Sequence, residues 1–143
     1  MVALSSVEMS VRDKVWLLED EIKKMPQCPI GIRHFFADRV YAREMSAPAG
    51  AIVTGKIHKY SQINILSKGR MSVLLGEQIE EISAPFTVVA PPGSKRVFYC
   101  HTDCVWTTIL GTDEKDPDKI EEEFTTNDEQ EFLDFQMKSI GQT

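Results

Sequence analysis

Two short segments concentrate the side chains of this 143-residue chain that could do chemistry. The first runs Gly55-Lys-Ile-His58-Lys-Tyr-Ser-Gln62-Ile-Asn64-Ile-Leu-Ser-Lys-Gly69 and the second Pro91-Pro-Gly93-Ser-Lys-Arg96-Val-Phe-Tyr-Cys100. Side chains alternate across a strand, so Lys56, His58, Tyr60, Gln62 and Asn64 share one face of an extended chain, and Arg96, Phe98 and Cys100 share another. If both faces line one interior, the cavity combines an ammonium, a guanidinium, an imidazole, two amides, a phenol and an apolar wall. Cations in a partly dry cavity are costly unless something negative answers them. No acid stands at the inner positions of these strands. A ligand carboxylate or phosphate answers the cost, with Arg96 gripping it as a fork and Lys56 acting as a point charge. Phe98 or Trp106 would stack on a ring, while Gln62 and Asn64 would read polar edges. The chemistry implied is capture of a small anionic molecule, a nucleotide among the candidates. Each residue alone has a plainer role: Lys and Arg snorkel to a rim, Arg96 could pair with Glu44 or Asp103, His58 suits a rim hydrogen bond, and Trp106 suits a core. Two segments converging on one cavity make them a site. Neither Ser61 nor Cys100 has a positioned base and acid, and no glycine-rich phosphate loop is present, so no catalytic residue is assigned.

The elements that must position these residues are strands. Between residues 32 and 111, short apolar-rich stretches alternate with turn residues: Ile32–Phe36, Val40–Met45, Ala51–His58, Ile63–Leu66, Met71–Leu75, Gln78–Ile82, Phe86–Val89, Arg96–Cys100 and Cys104–Leu110. Many short, evenly punctuated strands predict a mainly β, antiparallel jelly-roll barrel. Before it, residues 10–25 predict an amphipathic helix capped by Ser10, with an apolar stripe of Val11, Val15, Leu18, Ile22 and Met25. Glu19 with Lys23 and Asp20 with Lys24 support its exposed face. Pro26 and Pro29 stop it. After the barrel, residues 112–143 predict a helical tail: one short helix opening at Asp116-Pro117-Asp118 with Ile120 and Phe124 on one face, and a second over 127–138 with Phe132 and Phe135. The whole is expected to be one domain.

Net charge is −6, unevenly spread. Residues 113–143 carry eleven acids and three bases, leaving the first 112 residues with eleven acids and thirteen bases. That leaves no broad basic stripe for a long nucleic acid. No apolar run is long enough to span a bilayer, and no basic-then-apolar leader opens the chain, so a cytoplasmic location is expected. Three cysteines without C-x-x-C spacing read as free thiols.

The strings Val40-Tyr-Ala-Arg-Glu, Pro48-Ala-Gly50, Gly55-Lys-Ile-His-Lys59, Asn64-Ile-Leu-Ser-Lys-Gly69, Pro92-Gly-Ser-Lys-Arg96 and Asp103-Cys-Val-Trp-Thr-Thr108 cover a little over half the chain. In them the sequence resembles small cupin-fold proteins of the RmlC-like superfamily encoded by tailed bacteriophages and prophages. The resemblance implies a cupin barrel, a homodimer or higher homo-oligomer, and the host cytoplasm as its setting. In cupins the first motif reads His-x-His, three residues, Glu, six residues, Gly; the second reads Pro-x-Gly, two residues, His, three residues, Asn. Counting from Gly69 puts Gln62 in the Glu place and His58 and Lys56 in the two His places. Arg96 and Cys100 take the second motif's His and Asn places. Relatives often carry His where this chain has Gln62. A mononuclear cupin site takes about three His and one carboxylate. With one imidazole left, no cofactor is expected, and a divalent metal on His58 is the alternative. Three functions follow in order: a binder that sequesters a small anion or nucleotide signal, a divergent metal-dependent enzyme of the oxygenase or sugar isomerase/epimerase type with His58 as base, and a structural dimeric interaction protein.

Overall fold

A computed structural model describes residues 9–141. Turn chemistry dictates where strands begin and end. Gly50, Gly69, Gly76 and Gly93 all adopt positive φ, at the breaks between extended stretches. The nine strands between them are β1 (Gly31–Ala37), β2 (Val40–Ala47), β3 (Ile52–His58), β4 (Gln62–Lys68), β5 (Arg70–Leu75), β6 (Gln78–Ser83), β7 (Phe86–Ala90), β8 (Lys95–Cys100) and β9 (Cys104–Leu110). They form two antiparallel sheets, one ordered β1-β2-β9-β4-β7 and the other containing β3-β8-β5-β6. A two-residue strand absent from the sequence expectation, β10 (Thr125–Thr126), extends the second sheet by pairing with β3. The architecture is the expected mainly β jelly roll.

The inward side chains change character along the strands, and that change divides the interior. On β4 the inner series is Gln62, Asn64, Leu66; on β8 it is Arg96, Phe98, Cys100; on β9, read backwards, it is Thr108, Trp106, Cys104. Register aligns these series. Ile32, Met45, Trp106, Leu66 and Phe86 lie side by side across the first sheet as an apolar row. Two residues along, His34, Arg43, Thr108 and Asn64 make a polar row. Beyond the apolar row the barrel is filled by a core that includes Ala47, Ala51, Met71, Val73, Ile82, Cys100 and Cys104. Cys100 and Cys104 are buried free thiols, and burial with the neighbouring Cys104 pushes the Cys100 thiol up to about 12.

Helix α1 (Val11–Lys23) starts where Ser10 accepts a hydrogen bond from the Asp13 amide. Its packed face differs from the expected stripe. Val15 and Glu19 are buried, whereas Leu18 and Met25 are exposed. The rotation has a charge-pairing cause, since Glu19 turns inward to meet buried Lys95 at 2.9 Å. The tail forms α2 (Pro117–Phe124), capped by Asp116, and α3 (Glu129–Gly141). Ile120 and Phe124 join Tyr41 and Leu110 in a second small core, which fixes α2 across one end of the barrel.

Candidate functional site

The polar end of the barrel is a cavity of about 530 Å³ between the sheets, open at one side. Its first wall is the polar row of β2, β4 and β9, with Arg43, Asn64 and Thr108. Its second wall comes from β3 and β8, with Lys56, His58, Arg96 and Phe98. Trp106 and Met45 form the floor, and Pro117, Asp118, Ile120 and Glu121 of α2 border the mouth.

Of the eight residues singled out from sequence, seven line this cavity: Lys56, His58, Gln62, Asn64, Arg96, Phe98 and Trp106. Tyr60 does not. Strand β3 ends at His58, so alternation stops before Tyr60, and its half-exposed ring lies 5.2 Å from both Phe124 and Phe135. The expectation that Tyr60 faces the interior is corrected accordingly. Phe98 and Trp106 stack obliquely on each other with centroids 5.5 Å apart, as part of both the core and the cavity wall.

The polar groups fall into two depths. Lys56 stands at the rim, its side chain 41% exposed and paired with Glu121 at 2.6 Å. Arg43 is also exposed. Deeper in, Arg96, Gln62 and Asn64 are buried. Arg96 donates one hydrogen bond to the Leu74 carbonyl at 3.1 Å, and its Nε has no partner. Glu44 pairs instead with Arg33, and Asp103 accepts from the Ala49 amide, so neither of the acids considered for Arg96 reaches it. Burial holds the Arg96 guanidinium below its ordinary range. Asn64 Oδ1 accepts from Thr108 Oγ1 at 3.0 Å, leaving Nδ2 unpartnered. Gln62 has neither Nε2 nor Oε1 satisfied, and His58 Nδ1 is buried without a partner.

His58 is clasped through its backbone by the second segment. Its N–H donates to the Ser94 carbonyl at 2.9 Å, and its carbonyl accepts from the Gly93 amide at 2.7 Å. Burial, then the guanidinium charges of Arg96 and Arg43, push its imidazole down to about 4. At neutral pH it is therefore an uncharged donor or acceptor. Nearby, Tyr41 Oη and His34 Nδ1 are hydrogen-bonded at 2.6 Å, and burial raises the Tyr41 phenol.

Arg43, Thr108 and Glu121 belong to the cavity but go unmarked by the sequence reading. A signal exists for Arg43, because Tyr41, Arg43 and Met45 alternate on β2 and two large apolar neighbours mark that face as inward. Glu121 carries no local signal, since the tail reaches the mouth only through tertiary packing.

The donor set does not fit a metal. Among the described residues no group of three or more His, Cys, Asp or Glu could hold an ion. Arg96 stays protonated and cannot ligate, and the charges nearest His58 repel a cation.

Comparison with solved structures gives a consistent fold. A cupin superfamily protein from Desulfitobacterium hafniense superposes with TM-score 0.51 at 12% identity, over 62% of this chain and 83% of its own. An RmlC-like cupin from Shewanella frigidimarina gives 0.50 at 18% identity, over 57% and 75%. KdgF from a Halomonas species gives 0.51 at 16% identity, over 63% and 83%. No protein-family model and no curated protein matches the sequence. At such identities the likeness establishes a cupin-fold barrel and leaves function to the site. No helix among the described residues is long and apolar enough to cross a membrane.

Proposed function

We propose that this barrel binds a small anionic ligand in the cavity without a metal, as a binding protein rather than a catalyst. One observation carries the reading. Among the described residues five buried side-chain polar atoms lack partners, and all belong to His58, Gln62, Asn64 and Arg96 around one cavity. Buried polar groups in folded proteins are nearly always hydrogen-bonded, and each one left bare costs about 1–3 kcal/mol. Four of the five are donors or can serve as donors, beside the charge of Arg96 and the rim cations Arg43 and Lys56. An acceptor-rich anion matches that inventory: a carboxylate or phosphate meets Arg96, its polar edge meets the Gln62 and Asn64 amides, and Phe98 with Trp106 offers an apolar face. The resemblance of the motif strings to phage-encoded barrels supports a setting in which such a binder captures a host metabolite or nucleotide signal.

The enzyme alternative has less support. A base works best with a pKa near the operating pH, and an imidazole held near 4 is a weak one.

Isothermal titration against mononucleotides, cyclic nucleotides, sugar phosphates and carboxylates tests the proposal. One class binds, and Arg96→Ala weakens it by about 10–100-fold, the value of a charge-assisted contact. Lys56→Ala costs less, because its ammonium is half-exposed and already paired. No binding across the panel, or equal binding by Arg96→Ala, overturns the reading.

A further inference from the structure

We propose that Lys95 is a positioning residue: gripped from outside the barrel by α1, it holds a bulge in β3 that turns Lys56 and His58 into the cavity. The argument begins with register. Thr54 pairs with Val97 and Ile57 with Lys95, so three steps on β3 match two on β8. That extra residue reverses side-chain parity. Val53 faces inward before the bulge. With unbroken alternation Gly55 and Ile57 would follow it inward, and Lys56 and His58 would point outward. In the structure Lys56 and His58 line the cavity beside the side-chain-free Gly55, whereas Ile57, fully buried, is not among the lining residues.

A bulge leaves ladder groups unpaired, so something must hold its backbone. Here it is the Lys95 ammonium, which donates to the Gly55 carbonyl at 2.7 Å. The Lys95 side chain is 1% exposed, an unusual place for an ammonium without compensation. Beyond the Gly55 carbonyl, its compensation comes from α1. Glu19 Oε2 lies at 2.9 Å, and the Trp16 ring centroid lies 4.2 Å beneath the charge. Burial pulls the Glu19 carboxyl up, yet hydrogen bonds from Lys95 and Thr54 and the charges of Lys95 and Lys23 hold it below its ordinary range. Trp16 is oriented in turn by Glu129 of α3, whose Oε2 accepts from the indole N–H at 3.3 Å and from Arg12 at 3.1 Å. Arg12 also donates to the Gly93 carbonyl, next to the Ser94 carbonyl that holds the His58 amide. The helix outside the barrel therefore reaches the bulge through Lys95 and the neighbouring Gly93–Ser94 turn through Arg12.

The consequence for ligand capture rests on the anion-binding reading, but the placing of the two side chains does not. The test separates them. In the full chain, Lys95→Met with Glu19→Gln removes the grip without stranding a buried carboxylate. NMR titration follows the His58 ring, and hydrogen exchange follows the Lys56, Ile57 and His58 amides. His58 should move from about 4 toward its ordinary 6.5. Those amides should exchange at least about tenfold faster while β4 and β9 keep their protection. Trp16→Leu, which leaves the ion pair intact, gives the same changes at smaller size and serves if the double variant does not fold. Titration with inorganic phosphate adds the second arm: a shifted His58 with unchanged phosphate affinity upholds the positioning role and counts against anion capture. A folded variant whose His58 titration and amide exchange match wild type overturns the inference.

Discussion

Replacing Gln62 with Met should stabilise the ligand-free protein while weakening the ligand-bound one. Gln62 is 4% exposed, and both polar atoms of its amide are buried without partners. Methionine has nearly the same length and volume, so the wall of the cavity keeps its shape. What changes is polarity. Two unmet groups would cost about 1–3 kcal/mol each if fully dry, but an open cavity recovers part of that hydration. A net gain of roughly 1–2 kcal/mol remains, which for a chain of this length raises Tm by roughly 3–8 °C. Asn64 provides the control. Its Oδ1 accepts from Thr108, so Asn64→Leu strands that hydroxyl and should give no gain or a loss. Scanning calorimetry of both variants without ligand measures the difference, and titration with the ligand found for wild type measures the cost, expected to be at least about tenfold. A Tm for Gln62→Met at or below that of wild type would refute the reasoning, because it would mean that the amide is already satisfied by the folded protein.

His58 makes the fold sensitive to acid. Its folded pKa near 4 lies below the ordinary 6.5, so the unfolded chain binds more protons between those values. The contribution is complete above about pH 6.5 and is lost as pH falls toward 4, on the order of 3 kcal/mol in all. Urea unfolding at pH 7.5 and 4.5 should show that slope and His58→Gln should reduce it, whereas an imidazole titrating near 6.5 contradicts the account. Gly69→Ala should be far more damaging than Gly50→Ala. Both sit at positive φ, but a Cβ at Gly69 would lie 2.2 Å from the Asp103 carbonyl oxygen, while one at Gly50 meets nothing within 4 Å. Strain of about 1–3 kcal/mol applies to both, and overlap adds about 1–3 kcal/mol at Gly69 alone, so equal denaturation midpoints would defeat the comparison.

What could be read in advance followed local rules. The strands were legible because Gly, Pro and Asp clusters punctuate them, and Gln62, Asn64, Arg96, Phe98 and Trp106 face the interior because their strands run without interruption there. Tyr60 escaped the rule because its strand ends two residues earlier. Lys56 and His58 obeyed a parity that begins only at the bulge, which no local pattern announces. The α1 stripe failed for a related reason: counting apolar residues ignores that a buried lysine elsewhere draws Glu19 inward. Arg43 was passed over because a lone cation in a strand reads as solvent-facing, and Glu121 because an acidic run reads as a solvated surface. The bulge, the inward turn of Glu19 and the place of Glu121 depend on contacts between residues distant in sequence.

The two segments combine backbone devices with side chains that do chemistry, and the structure separates them. Gly69 and Gly93 both hold positive φ in tight quarters, the latter with the Phe132 ring 3.0 Å from where a Cβ would stand. Gly69 fixes the turn at the apolar end of the barrel, and Gly93, with the Gly93 and Ser94 contacts to His58, fixes the backbone shape beside the cavity, whatever the cavity holds. The side chains at Lys56, Gln62 and Arg96 are not needed for that shape. Arg96 makes a single hydrogen bond to the protein, and Gln62 makes none. Polar side chains left without partners on a scaffold that does not require them are what the proposed ligand would satisfy. Their exchange relative to the metal-binding cupin pattern also has a direction. Two imidazole places carry permanent cations and the carboxylate place carries an amide, a change of charge that supports the proposal of an anion held without a metal.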